Sequence, residues 1–376
     1  MKKIIILLLL LLIPVKVNAN ELAKNSVSSI LMEYSSGNIL YENNSDEELS
    51  PASMTKVMTM LLIMEALEDE KIKLSDMVVV SPNAARMGGS QVFLEAGSSM
   101  SVEELLKAIA IASANDASVA LAEHISGSTT AFVAKMNEKC RAIGCTNTNF
   151  MNVHGLDESS HYSSAKDMAR ISRELLKHKD VLKYTTIYEE YLNKPDGTST
   201  WMVNTNKLIR YYSGVDGLKT GFTSDAGYCL SASAERNNMR LISVVMKAPT
   251  TKARTDDTVE LLNYGFGNFK IKIILDTKAD LGKLEVIGGK EKTVNLKLTK
   301  DATNLENINE EKKYSYKIKT NVVKAPVKVG DIVGKLEVIG NNKVINQVDI
   351  TVSKNVKKAN IWDLYKRNLN FLLTGA

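Results

Sequence analysis

The periodicity of the chain changes once, near Asn268, and that break limits the possible folds more than any other feature. Before it, apolar residues recur at both helical and strand spacing. After it, up to about residue 353, only short alternations of Val, Ile, Leu and Lys remain, at 270–275, 293–298, 314–320 and 344–352. A chain of 376 residues has room for two cores of ordinary size. The break therefore reads as a boundary between an α/β (α+β) domain over 20–269 and a small all-β domain over 270–353. The heptapeptide Gly-Lys-Leu-Glu-Val-Ile-Gly stands at 282–288 and again at 334–340. A solenoid needs about three or more units, so the repeat predicts two similar strand-and-turn elements.

Within the first domain, 27–31 and 38–41 flank a Ser-Ser-Gly turn and read as a hairpin. Helical periodicity covers 53–67, 102–124 and 132–143, and the apolar runs 228–234 and 241–248 predict adjacent antiparallel strands. An antiparallel sheet flanked by helices is the architecture that buries such elements.

Both ends differ from the body. Lys2 and Lys3, the apolar run 4–13 and the small-residue end at Ala19 form the three parts of an export leader, with cleavage expected after Ala19. Pro14 interrupts the run well short of the roughly 18–20 apolar residues a membrane span needs. At the other end, 354–376, Ile361, Trp362, Leu364, Tyr365, Leu369, Phe371, Leu372 and Leu373 gather on one helical face behind Lys354, Lys357 and Lys358. A basic amphipathic helix with an interfacial Trp is expected to lie in a membrane surface, the alternative being packing on its own domain or a partner. The expected location is therefore outside the cell, peripheral on the outer face of the cytoplasmic membrane, with a secreted form as the variant. Of the net charge of +5, Lys2, Lys3 and Lys16 carry three, so the mature chain shows no excess suited to nucleic acid. Three cysteines make no disulfide scaffold. Cys140 and Cys145 are expected as buried free thiols within reach of each other, and Cys229 falls in a strand pattern.

Ser50-Pro51-Ala52-Ser53-Met54-Thr55-Lys56 opens the first long helix. Ser50 suits the N-cap and Pro51 the first helical position, which puts Ser53 in the first turn. A residue three positions on shares its face, so Lys56 is brought toward the Ser53 hydroxyl. A lysine can serve as base only when neutral, and burial or a second cation favours that form. Ser-x-x-Lys also occurs at 163–166, where a helix start explains it. Ser113-Ala114-Asn115 interrupts an otherwise apolar helical stretch, so its polar side chains need partners or a role. Lys219-Thr220-Gly221 occurs once, ahead of a strand-like segment.

The ordered set Ser-x-x-Lys, Ser-x-Asn and Lys-Thr-Gly resembles the signature of serine acyl-transferases of the penicillin-binding protein and β-lactamase type. With 50–59, 113–118, 152–157, 204–208 and 214–223, the chain resembles the D-alanyl-D-alanine carboxypeptidases, the low-molecular-mass penicillin-binding proteins. The resemblance covers about 20–269 and extends more loosely to the β domain and the terminal helix. It implies removal of the terminal D-Ala from peptidoglycan stem peptides and acylation by β-lactams, without a cofactor. It also implies roles: Ser53 as nucleophile, Lys56 as general base, Ser113 as proton relay, Asn115 on a substrate amide, Lys219, Thr220 and Gly221 at the substrate carboxylate, and the backbone N–H groups of Ser53 and Phe222 as oxyanion hole. Arg254 reads as a surface charge, with carboxylate binding as the alternative.

Two other functions fit parts of the pattern. Glu189-Glu190-Tyr191-Leu192-Asn193 matches the Glu-x-x-Leu-Asn element of class A β-lactamases, although it lies nearer Lys219 than Ser113. An inactive penicillin-binding adaptor is the third reading, against which the intact site residues speak. His154 and His161 flank Gly155-Leu156-Asp157, but zinc needs three or four ligands at a recognisable spacing, so no metal is expected.

Overall fold

The computed structural model describes residues 22–310 and 312–366. The expected leader and Leu369, Phe371, Leu372 and Leu373 of the expected tail lie outside them. The chain forms two compact units, one holding most of the sequence to Leu262 and the other Asn263 onward with 33–38 and 235–241.

The first unit is organised on five strands, β1 (Ser28–Glu33), β2 (Ile39–Asn43), β3 (Val215–Thr223), β4 (Gly227–Arg236) and β5 (Met239–Ala248), in the order β2-β1-β5-β4-β3. β1 runs antiparallel to β2, and β3 to β4. Asn237 and Asn238, both at positive φ, join β4 to β5 in a two-residue turn of the kind that closes antiparallel hairpins. β3 is an edge strand of this sheet, and its Gly217 carbonyl accepts from Asn206 Nδ2 at 2.9 Å. It is buried from Gly217 through Gly221 and opens to solvent at Phe222.

Helix α1 (Lys56–Glu68) has buried residues on all its faces, as a helix enclosed by its own domain must. The sequence predicts one helix over 102–124, but the structure has two, α2 (Val102–Ala112) and α3 (Asn115–Ser126). The break comes from Ser113, which ends α2 in the left-handed region at φ 64°. α4 (Thr129–Ala142) and α5 (Ala165–Leu175) begin at Ser128 and Ser164, whose hydroxyls accept from Ala131 and Asp167 N–H. The second Ser-x-x-Lys is thus a capped helix start, its Lys166 paired with Glu42 and Asp46.

The cysteine expectation needs correction. Cys140 and Cys145 are joined in a disulfide, because the turn through Gly144 at φ 87° brings their Cα atoms to 5.2 Å. Cys229 is buried and free.

Helix α6 (Thr251–Asn268) leads into β6 (Phe269–Leu275). The second unit is built on β7 (Lys283–Ile287), β8 (Thr293–Leu298), β9 (Ala302–Asn307), β10 (Tyr314–Thr320), β11 (Val323–Lys324), β12 (Gly334–Gly340) and β13 (Lys343–Val352). Six of them form one sheet in the order β10-β12-β13-β8-β7-β11, and β6 pairs with β9. The repeated heptapeptide supplies β7 and β12, each second from an edge of the sheet. Leu296, Leu336, Val338, Val348, Ile350 and Val352 form its core.

The expected start of the tail at Lys354 falls inside this unit. Val356 is 1% exposed within the core, its N–H and C=O both bond to Val327, and Ala359 N–H donates to Gly288. Residues 361–366 are helical, capped by reciprocal bonds between Asn360 and Asp363.

Candidate active site

The nucleophile turn starts differently from the sequence expectation. Pro51 occupies the N-cap position without a side-chain cap, and the Ser50 hydroxyl donates instead to Asp157 Oδ1 at 3.1 Å. Ala52 is held at φ 46°, and Ala52–Thr55 form a 3-10 turn before α1 begins at Lys56. Non-glycine residues at positive φ cost free energy that the surroundings must offset, and they cluster at functional sites. Here two of them, Ala52 and Ser113, each belong to a stretch bearing an expected catalytic group.

Lys56 is fully buried, and its Nζ lies 3.0 Å from Ser53 Oγ, 2.6 Å from Asn115 Oδ1 and 2.7 Å from the His154 carbonyl. Asn115, the first residue of α3, is oriented by its Nδ2 donating to Gly88 O at 2.7 Å. Burial pushes the Lys56 amine well below its ordinary value, the Lys219 charge adds to this, and Asp116 opposes it. A neutral amine has two N–H donors and one lone pair. Asn115 Oδ1 and the His154 carbonyl can only accept, so they take the two donors and leave the lone pair facing the Ser53 hydroxyl. An amine so placed can accept the hydroxyl proton.

Lys219 on β3 is also buried, and its Nζ donates to the Thr220 carbonyl at 3.1 Å. Burial first, and the Arg254 charge second, bring its amine down to about 7. Arg254 is 6% exposed, which overturns the surface-charge reading, and its buried Nε has no hydrogen-bond partner. α6 places it beside β3 and β4, where Cys229 and Tyr228 act on its charge. Thr220 Oγ1 donates to Thr205 Oγ1 at 2.7 Å. The Ser113 hydroxyl is buried and has no partner.

Two glycines allow these pieces to meet. A Cβ on Gly221 would come within 2.7 Å of the Pro51 carbonyl, so only glycine lets β3 lie against the nucleophile turn. On Gly155, at φ 89°, a Cβ would fall 1.9 Å from the Ala52 carbonyl. Phe222 follows with its ring half exposed and 4.3 Å from that of Tyr228.

The structure thus brings Ser53, Lys56, Asn115, Gly221 and the loop at His154 into direct contact. Sequence reasoning gave no role to several other contributors. Asp116, fully buried, accepts from Val92, Leu94 and Ala117 N–H and so fixes the loop that carries Gly88. His161 accepts from Met151 N–H at Nδ1, which leaves Nε2 to donate to Thr55 Oγ1 at 2.8 Å. Burial lowers His161 to about 4 and His154 to about 3, so both rings are neutral structural groups at pH 7. Thr205 lies within 204–208, a stretch that carries the family resemblance, but no role is read for it from the sequence. Glu190 is engaged by Lys107 at 2.8 Å, and Glu189 is exposed on a separate hairpin. Among the described residues no group of three or more His, Cys, Asp or Glu is placed to hold a metal.

Residues 15–250 match the family model for D-alanyl-D-alanine carboxypeptidase, and 269–358 match that for the C-terminal domain of penicillin-binding protein 5. The chain is 46% identical to the D-alanyl-D-alanine carboxypeptidase DacF of Bacillus subtilis, over 93% of this chain and 90% of that one. Penicillin-binding protein 5 of Haemophilus influenzae superposes with a TM-score of 0.71 at 36% identity, over 90% of this chain and 98% of that one. Penicillin-binding protein D2 of Listeria monocytogenes, solved in an ampicillin-bound form, gives 0.58 at 31% identity over 64% of this chain and 98% of its own.

Proposed function

This chain belongs to the D-alanyl-D-alanine carboxypeptidase family, and on that premise we propose how its residues divide the work of a serine peptidase acting on peptidoglycan stem peptides. The observation that carries the reading is the Lys56 amine, buried, with two acceptors and one hydroxyl around it.

The stem peptide lies extended along the edge of β3. Its terminal carboxylate meets Lys219, the Thr220 hydroxyl and Arg254, and Asn115 holds a substrate amide. Lys56 takes the Ser53 proton as Oγ bonds to the carbonyl carbon of the scissile bond. The resulting oxyanion sits between the N–H groups of Ser53 and Phe222, where donors held in place stabilise charge that develops only in the transition state. When the C–N bond breaks, the proton passes through Ser113 to the amine of the departing D-Ala. Its orphaned, buried hydroxyl suits a group whose partners arrive with the substrate. Water then adds to the acyl-enzyme as Lys56 accepts its proton, and the C–O bond to Ser53 breaks as Lys56 returns that proton to Oγ. A β-lactam enters at the first step and acylates Ser53.

Glu189, the glutamate of the Glu-x-x-Leu-Asn element, is exposed on a two-stranded hairpin outside the five-stranded sheet, which disfavours a β-lactamase in which this element would activate the deacylating water. Export through 1–19 and peripheral attachment to the outer face of the cytoplasmic membrane through the terminal helix complete the proposal. Incubation with a D-Ala-D-Ala peptide and with labelled penicillin tests it. Release of D-Ala, with a long-lived label that is lost in Ser53→Ala, is expected. Rapid penicillin turnover without D-Ala release would indicate a β-lactamase, and neither activity an adaptor.

A further inference from the structure

Four consecutive residues, His154 to Asp157, each touch a different part of the site. The His154 carbonyl accepts from Lys56, Gly155 presses on the Ala52 carbonyl, and Leu156 lies against Gly89. Asp157 is exposed, yet one of its oxygens, Oδ1, accepts from the Ser50 hydroxyl at 3.1 Å and from the Thr223 hydroxyl at 2.8 Å. Ser50 stands three residues before Ser53, and Thr223 directly follows Phe222. Thr223 Oγ1 in turn accepts from Ala226 N–H at 3.0 Å, which fixes the turn out of β3. The two backbone segments assigned to the oxyanion hole are therefore tied to each other through a single carboxylate oxygen.

We propose that Asp157 is a positioning residue that sets the spacing of the two oxyanion donors by holding the nucleophile turn and the end of β3 together. This rests on the assignment of Ser53 and Phe222 N–H as those donors. The groove at β3 needs one open edge for the substrate, so the sheet cannot supply this tie by pairing there. A side chain reaching across from a third segment closes the frame while leaving the edge free. Asn at 157 keeps one carbonyl oxygen able to accept both hydroxyls, whereas Ala removes the acceptor.

The test uses the whole chain, with penicillin and with an acyl-D-Ala ester and its thiono analogue as substrates. Misplacing a reacting group by about 1 Å can cost about 10²-fold. Asp157→Ala is therefore expected to slow the acylation step about 10- to 100-fold with little change in the initial binding constant for penicillin. Asp157→Asn is expected to stay within about threefold of wild type. Because the oxyanion and its sulfur counterpart differ in what they need from the donors, Asp157→Ala should also change the oxygen-to-sulfur rate ratio. A fold defect would lower both rates in proportion. The pair Ser50→Ala and Thr223→Val should reproduce the loss, with no further loss on adding Asp157→Ala. Equal losses on both esters, or an Asp157→Asn as slow as Asp157→Ala, would overturn the proposal. These readings need only acylation of Ser53, so absence of D-Ala release by the wild type would count against the proposed function and not against this inference.

Discussion

Lys219 and Arg254 are two buried cations placed so that the guanidinium adds to burial in lowering the Lys219 amine to about 7. The second consequence reaches Lys56, whose amine is pushed down by burial and then by Lys219. This row of basic groups favours the neutral form of Lys56, the proton acceptor of the proposed mechanism, while the Arg254 guanidinium stays positive at the end proposed for the carboxylate. Paired sites whose environments push their titrations apart are how acid and base tasks are separated at one pH.

That row sets the pH profile. Lys56 acts when neutral, so kcat/KM rises with pH through its lowered titration. In the proposed mechanism Lys219 binds a carboxylate when charged, so in the free enzyme its contribution should fall as pH rises through about 7. The two steps belong to a coupled group, and kcat/KM reports them for the enzyme before substrate binds. A peptide ending in D-Ala-D-Ala should show an alkaline limb that its C-terminal amide lacks. Arg254→Gln removes a charge that lowers Lys219 and should move that limb to higher pH. An alkaline limb of the same position for acid and amide would contradict the assignment.

Ser113 offers a separation of stability from catalysis. Its hydroxyl is buried without a partner, and such a group costs about 1–3 kcal/mol relative to a satisfied one. Ser113→Ala should therefore leave thermal stability unchanged or raised by about 1 kcal/mol. Turnover of the peptide should fall by about 10²-fold or more, the usual worth of a placed proton-transfer group. A drop in both melting temperature and activity would show that the hydroxyl is structural.

The residues whose chemistry is local were readable in the sequence. Ser53 and Lys56 need only helical spacing to meet, and Ser113 to Asn115 stood out because polar groups interrupted an apolar stretch. What the sequence left hidden depends on long-range approach. Arg254 looked like any exposed arginine until α6 placed it behind β3, and Asp157 had no visible partner because Ser50 and Thr223 lie 107 and 66 residues away along the chain. The predicted single helix over 102–124 failed for an informative reason: the break that positions Ser113 and Asn115 requires a serine in a left-handed conformation, which propensity argues against. The disulfide was missed although the two cysteines were expected within reach of each other, because reach alone does not decide whether two thiols are oxidised.

Gly155 makes a stringent steric test. Any Cβ there would overlap the Ala52 carbonyl at 1.9 Å, and φ 89° is itself strained for an L side chain. Strain of this kind costs on the order of 1–3 kcal/mol before the overlap is counted. Gly155→Ala should lower the melting temperature and abolish penicillin labelling. Gly97→Ala, also at positive φ but facing open space, serves as the control. It should pay the conformational cost alone and keep its label.

The end of the chain bears on attachment to membranes, and the packing of Val356 changes where it should be cut. Removing 354–376 would take Val356 from the core of the β unit, so a stop after Ala359 is the cleaner variant. Ile361 is 81%, Trp362 70% and Tyr365 58% exposed, with Lys354, Lys357 and Lys358 just upstream. No helix among the described residues is long and apolar enough to cross a membrane. The exposed apolar side chains beside these lysines are what makes interfacial attachment the expected mode. Each lysine near an anionic surface contributes about 1 kcal/mol, an attraction that salt screens. The full mature chain should sediment with vesicles containing anionic lipid, and Trp362 fluorescence should shift to the blue. Added salt should weaken the binding, and the chain ending at Ala359 should remain in solution with its peptidase activity intact. Equal sedimentation of the shortened chain would place the attachment elsewhere in the protein.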